Sequence, residues 1–317
     1  MKRLLILLAA VTMLLAGPAT AQTLIPVQVQ GAPFDLNGPL FYAQDLGYFT
    51  KAGLDVHIQT SQVTVEGAAA AILGGSIDIA SANTATIAQA HLRGIDFRFF
   101  APSGLFTESA EPTELVLVPK TSPIHTAAEL NGKTVAVAGL KGMLQIATVA
   151  WADRHGGNGR SLQFVEVPFP QMDAALAQHR VDAVVVTEPW ATAAHDDTRV
   201  IGSAEDGVAR QFMTLGWFST GAWLNAHADV AARFAAAIRQ GAIWGNAHHK
   251  ESAEILSKYS KIPVSVVNGM GRSVYGLNLD PKMIQPPLDV AAKYGYLEHP
   301  VAASEIMWTT PGNTSPR

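Results

Sequence analysis

The chain of 317 residues contains no cysteine. That absence excludes disulfide staples, thiol catalysis, thiolate metal sites and a lipid anchor attached to a cysteine at an export cleavage point. Charge is also scarce. Asp, Glu, Lys and Arg make up 15% of the residues against 48% hydrophobic ones, which excludes a disordered chain and indicates a globular one. The small surplus is acidic, 26 acidic against 22 basic residues, so nucleic acid and anionic membrane are excluded as main partners. Beyond residue 15 no apolar run is long enough to span a bilayer.

Familiar catalytic and metal motifs are missing as well. Gly132-Lys133-Thr134 looks like the end of a phosphate-binding loop, but position 127 is alanine where that loop needs glycine, and a strand follows instead of a helix. Trp217-Phe218-Ser219-Thr220-Gly221 has tryptophan where a nucleophile elbow requires its first glycine. His248-His249 has no second histidine at ligand spacing. The expectation is therefore a protein without bond chemistry, without metal and without cofactor.

The first 21 residues are the most informative part of what is present. Lys2 and Arg3 precede the apolar run Leu4–Leu15, Gly17 and Pro18 break it, and Ala19-Thr20-Ala21 offers small residues at a cleavage site. This is the layout of a secretory signal peptide over residues 1–21. A mature chain starting at Gln22 is expected to be a soluble, monomeric periplasmic protein. Loss of Lys2 and Arg3 leaves 20 basic against 26 acidic residues, a net charge of about −6.

Strand-like and helix-like runs then alternate. Ile25–Gln30, Asp55–Gln59, Ile77–Ala80 and Asp96–Ala101 read as strands, and Pro39–Leu46, Val65–Leu73 and Thr84–Arg93 as the helices between them. Helices of about ten residues between strands predict a parallel sheet with right-handed crossovers. Pro102–Pro112 reads as loop. Strand Glu114–Val118 and a short capped helix at Thr126–Glu129 follow. A second series runs through strand Lys133–Ala138, helix Met143–His155, strand Leu162–Val167, helix Gln171–His179 and strand Val181–Thr187. Phe212–Trp223 is a mixed apolar run suited to crossing back, and the rest is mostly helical, with helices at Ala228–Trp244 and Lys250–Tyr259. The fold class is α/β, in two halves with a helical C-terminal region.

Ligands of open α/β sheets bind at the carboxyl ends of the strands. The loops there carry Asn37 and Gly38, Gln62, Asn83 and Thr84 in the first half, and Leu140, Lys141 and Gly142 in the second. Helix N-termini at these loops favour an anion, and Lys141 adds a full charge. Thr187 ends the apolar strand before Glu188-Pro189-Trp190. Glu188 has two readings at this point: it can receive an amine or hydroxyl of a ligand, or it can stabilise a helix start. Trp190, Trp217 and Phe218 are candidate walls for an apolar ligand body, with a place in the core as the alternative.

Gly38-Pro-Leu-Phe-Tyr-Ala43, Gly47-Tyr-Phe49, Gly53-Leu-Asp-Val56, Gly74-Gly-Ser-Ile-Asp-Ile79, Glu129–Val135, Val181-Asp-Ala-Val184 and Glu188-Pro189 occur in that order. The series resembles the nitrate/sulfonate/taurine-type substrate-binding proteins of ABC importers. The resemblance implies a type II periplasmic binding protein, with lobe 1 formed by residues 22–113 and 218–317 and lobe 2 by 114–217. It further implies capture of a small ligand, such as a sulfonate, taurine, nitrate or a carboxylate, and its delivery to a membrane permease driven by a cytoplasmic ATPase. A thiamine-pyrimidine-type ligand, a sensor that presents ligand to a receptor, and a periplasmic enzyme are the alternatives.

Overall fold

The computed structural model describes residues 23–60, 65–194 and 196–309. The proposed signal peptide and Gln62 lie outside them. Thirteen strands are described: β1 (Ile25–Gln30), β2 (Leu54–Gln59), β3 (Ile79–Ala82), β4 (Phe97–Pro102), β5 (Gly104–Thr107), β6 (Glu114–Pro119), β7 (Thr134–Val137), β8 (Gln163–Glu166), β9 (Ala183–Thr187), β10 (Thr198–Ser203), β11 (Gln211–Met213), β12 (Gly216–Thr220) and β13 (Val274–Tyr275). They form two five-stranded sheets, ordered β2-β1-β3-β12-β4 and β10-β6-β9-β7-β8, and a small sheet β11-β5-β13. Among the described residues no helix is long and apolar enough to cross a membrane.

The first sheet starts as the sequence pattern predicts. β1 pairs in parallel with β2 and β3, with Val27 opposite Val56 and Val29 opposite Ile79. Alternation buries Val27 and Val29 on one face. The helix Gly38–Asp45 carries proline in its first turn, where the missing N–H costs nothing. Asn83 caps the helix Thr84–Leu92, its Oδ1 accepting from the Thr86 amide at 3.0 Å. The helix Ala228–Ala247 then packs across Gly38–Asp45. Gly241 makes this approach possible, since a Cβ there would stand 2.4 Å from the Pro39 carbonyl oxygen. Leu40, Phe41, Trp217 and Phe234 are fully buried in this contact region, each contributing about 1.5–3 kcal/mol by burial.

Three departures from the sequence pattern are instructive. The first sheet is not wholly parallel: β12 returns from the second half and inserts antiparallel between β3 and β4. Gly216 and Trp217, which the sequence-based division at 217/218 counts with lobe 2, therefore already belong to the first sheet. The stretch Pro102–Pro112 is not all loop, because β5 pairs antiparallel with β11 and β13. Its partners lie about 100 and 170 residues further on, and local periodicity carries no trace of such pairing. β10 is the third departure: its antiparallel ladder with β6 is bulged between Val200 and Gly202, which erases the two-residue alternation in the sequence.

The second sheet has β9 among its inner strands, buried along its whole length. β7 pairs in parallel with β8 and β9, while β6 runs antiparallel to β9. The chain enters this half after β5 and leaves it before β12, so two segments join the halves.

Candidate functional site

A cavity of about 300 Å³ lies between the two large sheets. Its walls are strand ends. From the first sheet come Gln30 at the end of β1, Ser81 and Ala82 at the end of β3, and Asn83 after it. From the second come Ala138 and Gly139 after β7, Glu166 at the end of β8 and Thr187 at the end of β9. Glu114 begins β6, which runs the opposite way, so it reaches the same edge as Thr187. The two residues face each other in register. Phe34 and Phe169 approach edge-to-face from opposite lobes, their centroids 6.5 Å apart, and both line the cavity.

Polar contacts hold the lobes together around it. Gln89 Nε2 donates to the Lys141 carbonyl oxygen at 2.9 Å. The Asp35 amide donates to the Glu188 carbonyl oxygen at 3.1 Å. Further out, Gln145 Nε2 donates to the Tyr296 hydroxyl at 3.0 Å, and the Tyr294 hydroxyl donates to Asp153 Oδ2 at 3.0 Å.

The loop carrying Phe34 and Leu36 is fixed by a buried ion pair. Asp35 is fully buried and accepts from Arg272 Nε at 2.9 Å, from the Tyr275 hydroxyl at 2.9 Å and from the Ser273 amide at 2.5 Å. Arg272 also donates to the Tyr42 hydroxyl, Ser252 Oγ and the His249 carbonyl. Four of its five N–H groups thus donate within the protein.

Three carboxyl groups near the crossings hold their protons unusually tightly. Burial, with the charge of Glu205 beside it, pushes Glu114 well above the usual carboxylate range. Burial pushes Glu205 up to about 8, against bonds from the Thr113 amide and the Thr214 hydroxyl that favour its anion. Burial raises Glu188 to about 7, against two bonds from Thr192.

Asn83, Leu140, Gly142 and Thr187 of the sequence-derived set line the cavity. Trp190 stands behind the wall, stacked on Phe169 at 5.6 Å and 19°. The others are placed elsewhere. Asn37 is buried and ties the β1 loop to β3, its Nδ2 donating to the Ala32 carbonyl and Ser81 Oγ. Gly38 packs against Tyr42 and Tyr275, with a Cβ position 2.5 Å from the Tyr275 hydroxyl oxygen. Thr84 is buried inside its helix start. Trp217 and Phe218 are in the core, Trp217 behind Gly31 and Phe218 edge-on to Phe97. Both oxygens of Glu188 accept from Thr192, at 3.0 and 2.9 Å, as a carboxylate at a helix start does, and Glu188 does not line the cavity. Lys141 adopts a left-handed backbone (φ 60°), and its exposed side chain is not part of the lining. Its contribution is the carbonyl that Gln89 holds.

The sequence reading missed Gln30, Phe34, Glu114, Phe169 and Thr214. Two had a signal. Glu114 is a carboxylate at the head of the otherwise apolar strand Leu115–Val118, and Gln30 closes an alternating strand.

Two α/β lobes, each with a five-stranded sheet, joined by two segments and enclosing a cavity at their strand ends, constitute the type II periplasmic-binding-protein fold. The chain belongs to the NMT1/THI5-like family, whose model matches residues 37–252. Solved structures agree on the fold. The periplasmic aliphatic sulphonate binding protein SsuA from Escherichia coli is 16% identical over 93% of this chain and 95% of its own, with a TM-score of 0.71. The ligand-binding component of an ABC-type import system from Staphylococcus aureus, solved with zinc bound, is 15% identical over 90% of this chain and 96% of its own, with a TM-score of 0.77. An enzyme shares the fold too: the desulfurization enzyme DSZB is 14% identical over 89% of this chain and 96% of its own, with a TM-score of 0.63. No curated protein sequence matches the chain.

Proposed function

We propose that this protein is the solute-capturing component of an ABC importer. It takes a small molecule into the cavity between its lobes and presents the closed complex to a membrane permease driven by a cytoplasmic ATPase. The observation that carries this reading is the cavity itself. It is built from the strand ends of both lobes, so a molecule inside touches both and bridges them. Ligand contacts on the second lobe then stabilise the closed arrangement over the open one. A volume of about 300 Å³ suits a small solute. Its lining combines aromatic faces with a few polar groups and contains no histidine among the described residues, which supports binding over bond chemistry. The proposed setting is the periplasm, reached through the signal peptide at residues 1–21.

A thermal-shift screen of the mature protein against sulfonates, carboxylates, nitrate, amines and pyrimidines tests this. A captured solute raises the melting temperature by mass action, about 2.7 kcal/mol of added stability at a hundredfold excess over Kd. At least one class is expected to do so, with one-to-one stoichiometry by calorimetry. No shift with any small solute would contradict the proposal.

A further inference from the structure

The sequence favours an anionic ligand, with Lys141 as the charge that holds it. The cavity is built otherwise. Among the described residues its lining contains no lysine and no arginine, and its two ionisable side chains are both acids, Glu114 and Glu166. Glu166 stands exposed, while Glu114 is 5% exposed.

Three oxygen-bearing side chains in this wall are more than nine-tenths buried, and two of them hold an oxygen with no hydrogen-bond partner among the described residues. Gln30, 7% exposed, leaves Oε1 unpaired, and Thr187, 2% exposed, leaves Oγ1 unpaired. Glu114 is the buried acid of the same wall. Buried polar groups of native proteins are nearly always paired, so each unpaired one calls for an explanation. All three line the same cavity. Glu114 and Thr187 sit opposite each other across β6 and β9, and Gln30 comes from the other lobe. The amide oxygen of Gln30 and an ionised Glu114 carboxylate can only accept.

From this geometry we infer that the cavity takes a small organic cation, a protonated amine or amidine, whose N–H groups meet Glu114 and Thr187 on one lobe and Gln30 on the other. The inference deepens the capture function proposed above and rests on it. An anion entering the same space would meet the acceptor oxygen of Gln30 and stand beside the Glu166 carboxyl, with the helix start at Gly142 as partial compensation. A cation with N–H donors satisfies all three oxygens and, by bridging Gln30 to Glu114, draws the lobes together. Burial raises the Glu114 carboxyl above the usual carboxylate range, and a cation bound beside it favours its ionised form. Phe34 and Phe169 supply faces for the apolar part of the molecule.

Calorimetric titration of the mature protein with benzamidinium, neutral benzamide and benzenesulfonate tests the inference, because these probes share a ring and differ in charge. Benzamidinium is expected to bind at least about tenfold more tightly than benzenesulfonate, the scale of one charge-assisted hydrogen bond. Glu114→Gln is expected to cost benzamidinium at least about tenfold while leaving benzamide within about threefold. Thr187→Val is the second variant, expected to weaken benzamidinium, and the ranking on the unaltered protein requires no variant at all. Tighter binding of benzenesulfonate, no binding of benzamidinium, or equal benzamidinium affinity in Glu114→Gln overturns the inference. Capture is decided separately by the solute screen: binding of anions in place of the cation leaves capture standing and removes the cation.

Discussion

Replacing Arg272 with methionine should destabilise the protein by about 3–5 kcal/mol, the usual result of removing one partner from a buried ion pair. Asp35 is fully buried and accepts Arg272 Nε at 2.9 Å. Without the guanidinium its charge stays in a low-dielectric interior with only the Ser273 amide and the Tyr275 hydroxyl to stabilise it. Arg272 also satisfies Tyr42, Ser252 and the His249 carbonyl, so the loss extends beyond one bond. The melting temperature should fall by roughly 10 °C for a protein of this size. The double variant Asp35→Asn with Arg272→Met should recover part of the loss, because the orphaned charge is gone. Chemical denaturation of Arg272→Met, Asp35→Asn and the double variant measures this. Additive losses, or a single variant as stable as the parent, would contradict the account of this network.

The second large effect concerns pH. Stability should fall as pH rises from about 5 to 8. In the unfolded chain Glu188 and Glu205 lose their protons near 4.5, the ordinary value, whereas in the folded protein they hold them to about 7 and about 8. Between those limits the folded state binds more protons than the unfolded one. Each retained proton then costs stability at about 1.4 kcal/mol per pH unit, and the loss levels off once the folded group ionises. Glu114 acts in the same direction. Glu129 and Glu305 act oppositely. Each is lowered first by backbone hydrogen bonds, so their contribution is lost only in acid below the window. Glu205→Gln keeps an acceptor for the Thr214 hydroxyl and removes the titration, so it should flatten the upper part of the slope and stabilise the protein at pH 8. Urea unfolding at pH 5, 6, 7 and 8 decides it. Stability that rises across this range would refute the reading of the buried carboxyls.

The fold was largely legible in the sequence because its elements are local. Alternation set β1 and β2. Pro39 at a helix start and Asn83 as a cap marked helices that the structure places within a residue or two. What was not legible is long-range pairing. β12 inserts between β3 and β4 from over a hundred residues away, and β5 finds partners only in β11 and β13. The site divides the same way. Loops at strand ends pointed to Asn83, Leu140, Gly142 and Thr187, because strand direction determines where such loops gather. Which side chain on a loop faces inward depends on backbone detail. A left-handed turn at Lys141 leaves its ammonium outside, and Thr192 occupies Glu188. Trp217 and Phe218 satisfy the pattern of an apolar wall equally well as core, and their burial is set by helix Ala228–Ala247 and strand β4.

Ligand-driven closure of the two lobes is the central claim, and the absence of cysteine makes it directly measurable. Cysteines placed at Leu73 on the first lobe and Val165 on the second, both exposed, would be the only sites for spin labels. Pulsed electron-spin distance measurements then report the separation of the lobes. With a solute from the screen at saturation, the distance distribution should shorten and narrow to a single population. The same broad distribution with and without a solute shown to bind one-to-one would contradict capture by closure.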